Sequence, residues 1–264
     1  RKFFGKWLGD VRAEQHENGS VPEVVPNFWC TEKSSAAWGD AITVIPWTMY
    51  MMYGDKSVLE INFDAMKRWV DFMTNDSLDK YLWTCAESDK KLWGKHYGDW
   101  LGLDAPAGSY VGSSNIDFIA SAFYAYSTEL LIKSGKVIGK DMSEYETLYE
   151  NIVATFKKTF TEYNTQTECT LALCFNLTED RAKTSSKLNE LVKNNGNRLQ
   201  TGFVGTPYLL YALSENGYAE TAYSLLLQEE YPSWLYEVNH GATTIWEHWD
   251  GIRDDGTFWS SDMN

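Results

Sequence analysis

The chain has 264 residues, with 37 acidic against 23 basic side chains and a formal net charge of −14. A surface of that sign repels phosphate backbones and anionic headgroups, which argues against nucleic acid or acidic membrane as a partner; a neutral substrate is compatible with it. No run of about 18 apolar residues occurs, so no transmembrane helix is expected. Hydrophobic content of 44% suffices for a sizeable core, but aromatics at 15%, including 12 Trp and 16 Tyr, exceed what packing alone requires.

Apolar residues recur at three and four along most of the chain, the signature of helices. Phe3, Phe4, Trp7, Leu8 and Val11 start a first stripe that ends near His16. The segment opens as if in the middle of an amphipathic helix and carries no signal-peptide cleavage site, so the chain is expected to begin inside a larger protein, and its compartment stays open. Ala41, Val44, Ile45, Met49 and Met52 form a second stripe stopped by Gly54, with Pro46 expected to kink it. Val58, Ile61, Met66, Trp69, Val70 and Met73 form a third, with Ser57 as the expected N-cap. After a polar and aromatic stretch, helices are expected over 116–132 and 142–160. Two helical pairs follow, 168–175 with 183–194 and 206–214 with 219–228, the second pair separated by the Asn216-Gly217 stop signal. Period-two alternation never persists, so strands are not expected.

Long loops at 18–37, 75–112, 195–205 and 229–264 hold most of the Trp, Gly and Pro. Helical hairpins whose aromatic loops gather at one end make an all-α toroid with a cleft at its rim. The expectation is one domain over 1–264, an incomplete α/α barrel. Cys30, Cys85, Cys169 and Cys174 show no CxxC or His/Cys spacing, so free thiols are expected rather than a disulfide framework.

Several loop clusters carry chemistry. In Trp246-Glu247-His248-Trp249-Asp250, a carboxylate stands among flat indoles. Indoles stack on the C–H faces of sugars, and a carboxylate among aromatics can be tuned as an acid or base. Trp38-Gly39-Asp40 at a helix start reads either as an N-cap with a buried indole or as an indole platform beside a carboxylate. His96-Tyr97-Gly98-Asp99-Trp100 repeats that chemistry, with Asp99 either capping a turn or facing the cleft. Gly202-Phe-Val-Gly205-Thr-Pro207 is a tight turn into a helix and lacks the features of a phosphate loop. His240 and His248, with Glu247 between them, match no metal-ligand spacing, and no GxSxG elbow is present; neither metal nor other cofactor is expected.

These motifs, with Gly19-Ser-Val-Pro22, Ile45-Pro-Trp-Thr-Met-Tyr50, Tyr53-Gly-Asp55, Thr201-Gly-Phe-Val-Gly-Thr206, Pro232-Ser-Trp-Leu235, Gly241-Ala-Thr-Thr-Ile-Trp-Glu247 and Met263-Asn264, resemble glycoside hydrolase family 78, the bacterial and fungal α-L-rhamnosidases. The resemblance implies an (α/α)6 barrel that hydrolyses terminal α-L-rhamnose with inversion, on rhamnose-containing glycosides or oligosaccharides. It makes Glu247 the general base and Trp38 and Trp100 sugar-contacting indoles, with Asp40, Asp99, Trp246 and Trp249 in or near the cleft. The family's Asp-Glu-Arg-x-Gly-Trp-x-Gly-Asp stretch, which carries the general acid, has no counterpart here and is expected upstream of Arg1. Position 248 is His where the family has Arg, and the chain stops short of a family segment with a substrate-binding His. The N-terminal helices and the C-terminal end are therefore expected to be missing, the other domains of a parent chain to be its partners, and the piece alone to be inactive. A carbohydrate-binding module using the same indoles without turnover is the alternative. A uronate lyase fits the acidic balance poorly, and a protein scaffold would not need such aromatic loops.

Overall fold

The computed structural model describes residues 1–30, 32–89 and 94–258; the Met263-Asn264 motif lies outside them. Among the described residues the regular elements are helices, with isolated bridges and no β-strand. Internal contacts divide the chain into two compact units, residues 1–97 with 116–161 and residues 98–115 with 162–264.

The first unit holds α1 (Lys2–Glu14), α2 (Ala41–Tyr53), α3 (Ser57–Asp76), α4 (Ile116–Val137) and α5 (Ser143–Thr159). Helix α2 ends where the sequence says it should, at Gly54 in the left-handed conformation (φ 65°), which a residue without Cβ adopts at little cost. It runs unbroken through Pro46. Its buried face is Ile42, Thr43, Pro46 and Met49, whereas Met52 is exposed. The expected stripe was out of phase because an almost wholly apolar helix has no polar face to fix its rotation. In α3 the expected Met66, Trp69, Val70 and Met73 are buried, but Leu59 and Phe63 take the places assigned to Val58 and Ile61. Ser57 is the first residue of α3 rather than its cap: its amide and hydroxyl both bond to Asp55 Oδ1. Phe118, Ile152 and Phe156 extend the core between α4 and α5.

The second unit holds α6 (Gln166–Cys174), α7 (Arg181–Asn194), α8 (Thr206–Ser214), α9 (Ala219–Leu226) and α10 (Trp234–Asn239). Thr165 caps α6 through the amide of Glu168, and Asp180 caps α7 through that of Lys183, each satisfying one of the amides a helix start leaves over. Residues 166–173 of α6 are all buried, so this helix is the unit's centre. Helix α10, six residues capped by Ser233, lies inside a stretch read from sequence as loop. It proves to be the support of the segment that follows.

Candidate active site

In the first unit, the Trp38-Gly39-Asp40 motif is built from the inside out. Asp40 is fully buried; its Oδ1 accepts from Trp69 Nε1 at 2.8 Å and from the Ser127 hydroxyl, and its Oδ2 accepts from the Ala37 amide at 2.7 Å. The carboxylate sits at the N-cap position of α2 but makes no cap bond to that helix. It holds Ala37 instead, whose φ of 70° is a conformation that a side chain with Cβ resists. Gly39 lets the Trp69 indole lie on the backbone: a Cβ there would stand 2.4 Å from its ring. Trp38 is thereby presented at the half-buried surface, edge-on to Tyr97 at 4.9 Å. Burial pushes the Asp40 carboxyl up to about 6, against the pull of its hydrogen bonds.

Around Trp38 stands a network that the sequence reading did not single out. Tyr97 donates to Glu23 Oε2 at 2.7 Å, Lys33 donates to the Tyr97 hydroxyl at 2.9 Å, and Lys33 lies 3.4 Å from Glu23. Glu23 lies in a Pro-rich loop, and only the 74-residue separation from Tyr97 closing in space reveals the pair. Beneath it His96 is buried, accepting from the Ala36 amide through Nδ1 at 3.2 Å, and burial lowers its pKa to about 3.

In the second unit Asp99 plays the corresponding inward role. Its Oδ2 accepts from the Gly202 amide at 2.8 Å and from the Thr167 hydroxyl, and its Oδ1 from the amides of Val204 at 3.0 Å and Gly205 at 3.3 Å. Burial raises its pKa to about 6, opposed by those bonds. The loop it gathers presses on Trp100: Phe203 donates to the Trp100 carbonyl at 2.9 Å, and a Cβ on Gly202 would meet that oxygen at 2.2 Å. The Trp100 indole stacks on Tyr110 at 5.3 Å with 9° between planes. Asp40 and Asp99 thus hold the backbone beside the two indoles, and all four carboxylate oxygens are taken up by protein donors.

Glu247 differs from both. It is exposed, and its carboxylate has no hydrogen-bond or ion-pair partner among the described residues. Trp246 beside it is half-buried, while Trp249 is buried against Trp234, ring centres 5.1 Å apart at 84°. His248, also buried, pairs through Nδ1 with Asp250. A cavity of about 490 Å³ opens in this unit between the loop 101–110 and the side chains of His248, Asp250 and Arg253, which follow Glu247 in the chain. The described residues contain no group of three or more His, Cys, Asp or Glu able to hold a metal ion.

Residues 1–263 match the model of the bacterial α-L-rhamnosidase six-hairpin glycosidase domain. The chain belongs to that family. Its all-α fold is accordingly of the (α/α)6 toroid class. Among its relatives, an α-L-rhamnosidase of Formosa agariphila is 36% identical over all of this chain and 28% of its own length. One of Streptomyces avermitilis is 33% identical over all of this chain and 25% of its own. The crystal structure of the Streptomyces avermitilis α-L-rhamnosidase complexed with L-rhamnose superimposes with a TM-score of 0.88 at 33% identity, over all of this chain and 25% of that one. That of the Aspergillus terreus enzyme does so with 0.82 at 32%, over 97% of this chain and 30% of its own. The rhamnosidase-family chain thus spans about a quarter of the length of these relatives.

Proposed function

We propose that this domain is the catalytic part of an inverting glycoside hydrolase that removes terminal α-L-rhamnose, with Glu247 as the general base. One observation carries the assignment: of the carboxylates in the loop motifs, Asp40 and Asp99 are consumed by protein donors, while Glu247 stands exposed with no partner among the described residues. A base must reach a water, and an ionised carboxylate already saturated by protein donors does not take a proton from one.

In the proposed reaction Glu247 deprotonates a water, which attacks the anomeric carbon from the face opposite the leaving oxygen. A protonated carboxyl about 6.5–9.5 Å away delivers a proton to that oxygen, so the glycosidic bond breaks as the new C–O bond forms. Asp40 and Asp99 are excluded as that acid by their bonding. Trp100, buried and stacked on Tyr110, backs the cavity wall that this tyrosine lines, and Trp38, half-buried in the first unit, offers an apolar ring face of the kind a deoxysugar stacks on; Asp40 and Asp99 act as the anchors that set these indoles. Trp246 stands next to the base, and Trp249 packs on Trp234 to hold the segment in place. The cavity beside His248, Asp250 and Arg253 is the site proposed for sugar, because its walls combine hydrogen-bonding side chains with a tyrosine ring.

The test is kinetic, on an aryl α-L-rhamnoside with the full-length protein. E247Q is expected to lower kcat by about 10²–10⁴-fold with little change in KM, whereas W100A is expected chiefly to raise KM. Full activity in E247Q removes Glu247 from the mechanism. Turnover of other aryl glycosides but not of the rhamnoside removes the sugar assignment.

A further inference from the structure

Glu247 is the second residue after a run, Ala242 to Ile245, that is mostly exposed; Ile245 shows 76% of its surface. Such a run has little packing of its own to fix the residue that follows it. What fixes it is α10. The carbonyl of Glu237 accepts from the Ala242 amide at 3.0 Å, and its side-chain Oε2 accepts from the Trp246 amide at 3.2 Å. Farther along, the Tyr236 hydroxyl donates to the Arg253 carbonyl at 3.1 Å. Adjacent residues of one short helix therefore hold both ends of the segment 246–253.

The Glu237 side chain is 3% exposed, and its Oε1 is buried without a hydrogen-bond partner among the described residues. A carboxyl so placed is costly to keep, and a purely packing role would be filled better by Leu or Met. The position demands an acceptor aimed at the Trp246 amide. Burial raises the Glu237 pKa to about 7, consistent with a side chain held for this bond and not for a charge.

We propose that Glu237 is a positioning residue of the hydrolytic reaction: by accepting from the Trp246 amide it fixes the backbone immediately before Glu247 and so the placement of the base. This rests on the reading of Glu247 as general base. A hydrogen bond to a main-chain amide tolerates replacement by any acceptor of the same reach but not by an apolar isostere, which defines the experiment.

E237Q, E237M and wild type are compared as full-length proteins on an aryl α-L-rhamnoside, and hydrogen exchange is followed across residues 241–247. E237M is expected to lose about 10- to 100-fold in kcat with KM held within about twofold, because a misplaced base costs the chemical step and not binding. E237Q, whose amide oxygen still accepts, is expected to recover most of that loss. The Trp246 amide is expected to exchange faster in E237M and at the wild-type rate in E237Q. An E237M enzyme with wild-type kcat overturns the proposal, as does an equal collapse of kcat, KM and thermal midpoint in both variants. If wild type does not cleave α-L-rhamnosides, the functional reading fails; the exchange rates then still decide whether Glu237 anchors the segment.

Discussion

Asp99 offers the sharpest energetic test of how the second unit is held. Asp99→Ala removes the one side-chain acceptor among the described residues for three buried main-chain amides, those of Gly202, Val204 and Gly205, together with the partner of the Thr167 hydroxyl. Each buried donor left without a partner costs about 1–3 kcal/mol. Water entering the vacated space recovers part of this, so a net loss of about 3–5 kcal/mol is expected. Against a typical total of about 5–15 kcal/mol that is severe. Asp99→Asn preserves shape but only one acceptor oxygen. The amide can serve Val204 and Gly205, or Gly202, but its NH2 then faces another donor, for a loss of about 1–3 kcal/mol. Thermal unfolding at neutral pH should therefore rank wild type above D99N and D99N above D99A. Amide exchange should accelerate at all three positions in D99A and at a subset in D99N. Stability of D99A within about 0.5 kcal/mol of wild type, with those amides still protected, would refute the anchoring role.

Other consequences follow from the same geometry. Gly39→Ala drives a methyl into the fully buried Trp69 ring, 2.4 Å away, and should cost about 1–3 kcal/mol in chemical denaturation; an unchanged midpoint contradicts the packing described. His96, with its pKa lowered from 6.5 to about 3, contributes stability that is complete above 6.5 and is lost as pH falls through the window toward 3, by about 1.4 kcal/mol per pH unit. Asp40 and Asp99, both raised to about 6, act in the opposite direction: their contribution is complete below 3.8 and is lost as pH rises through about 6. Melting His96→Asn beside wild type from pH 7.5 down to 4.5 isolates the histidine, since both proteins share the two aspartates. The wild-type advantage should shrink steadily below pH 6.5; a constant difference means that His96 is not held neutral.

How far the sequence reaches is best seen residue by residue. Helix ends with a stereochemical signal were legible: Gly54 stops α2, and Gly217 stands in the turn after α8. Helix faces were legible only where polar residues set the phase, as in the second half of α3, and not in apolar α2. The indole and carboxylate motifs were visible as motifs, but the direction of each carboxylate was not. Asp40 and Asp99 look like Glu247 in composition, yet they point inward, because their donors come from Trp69, 29 positions away, and Gly202, 103 away. Glu237 carries no signal in the sequence for the same reason. A lone acid in Trp234–Asn239 has no spacing pattern, and its significance arises only when the Trp246 amide folds back onto it.

In the proposed reaction Glu247 activates a water that displaces rhamnose with inversion. Proton NMR of the first sugar released from an aryl α-L-rhamnoside by the full-length protein tests it most directly, run in parallel with E247Q. β-L-Rhamnose is expected to appear first and to mutarotate afterwards, and E247Q to release neither anomer on the same timescale. Initial release of the α-anomer, or unimpaired release by E247Q, would contradict it.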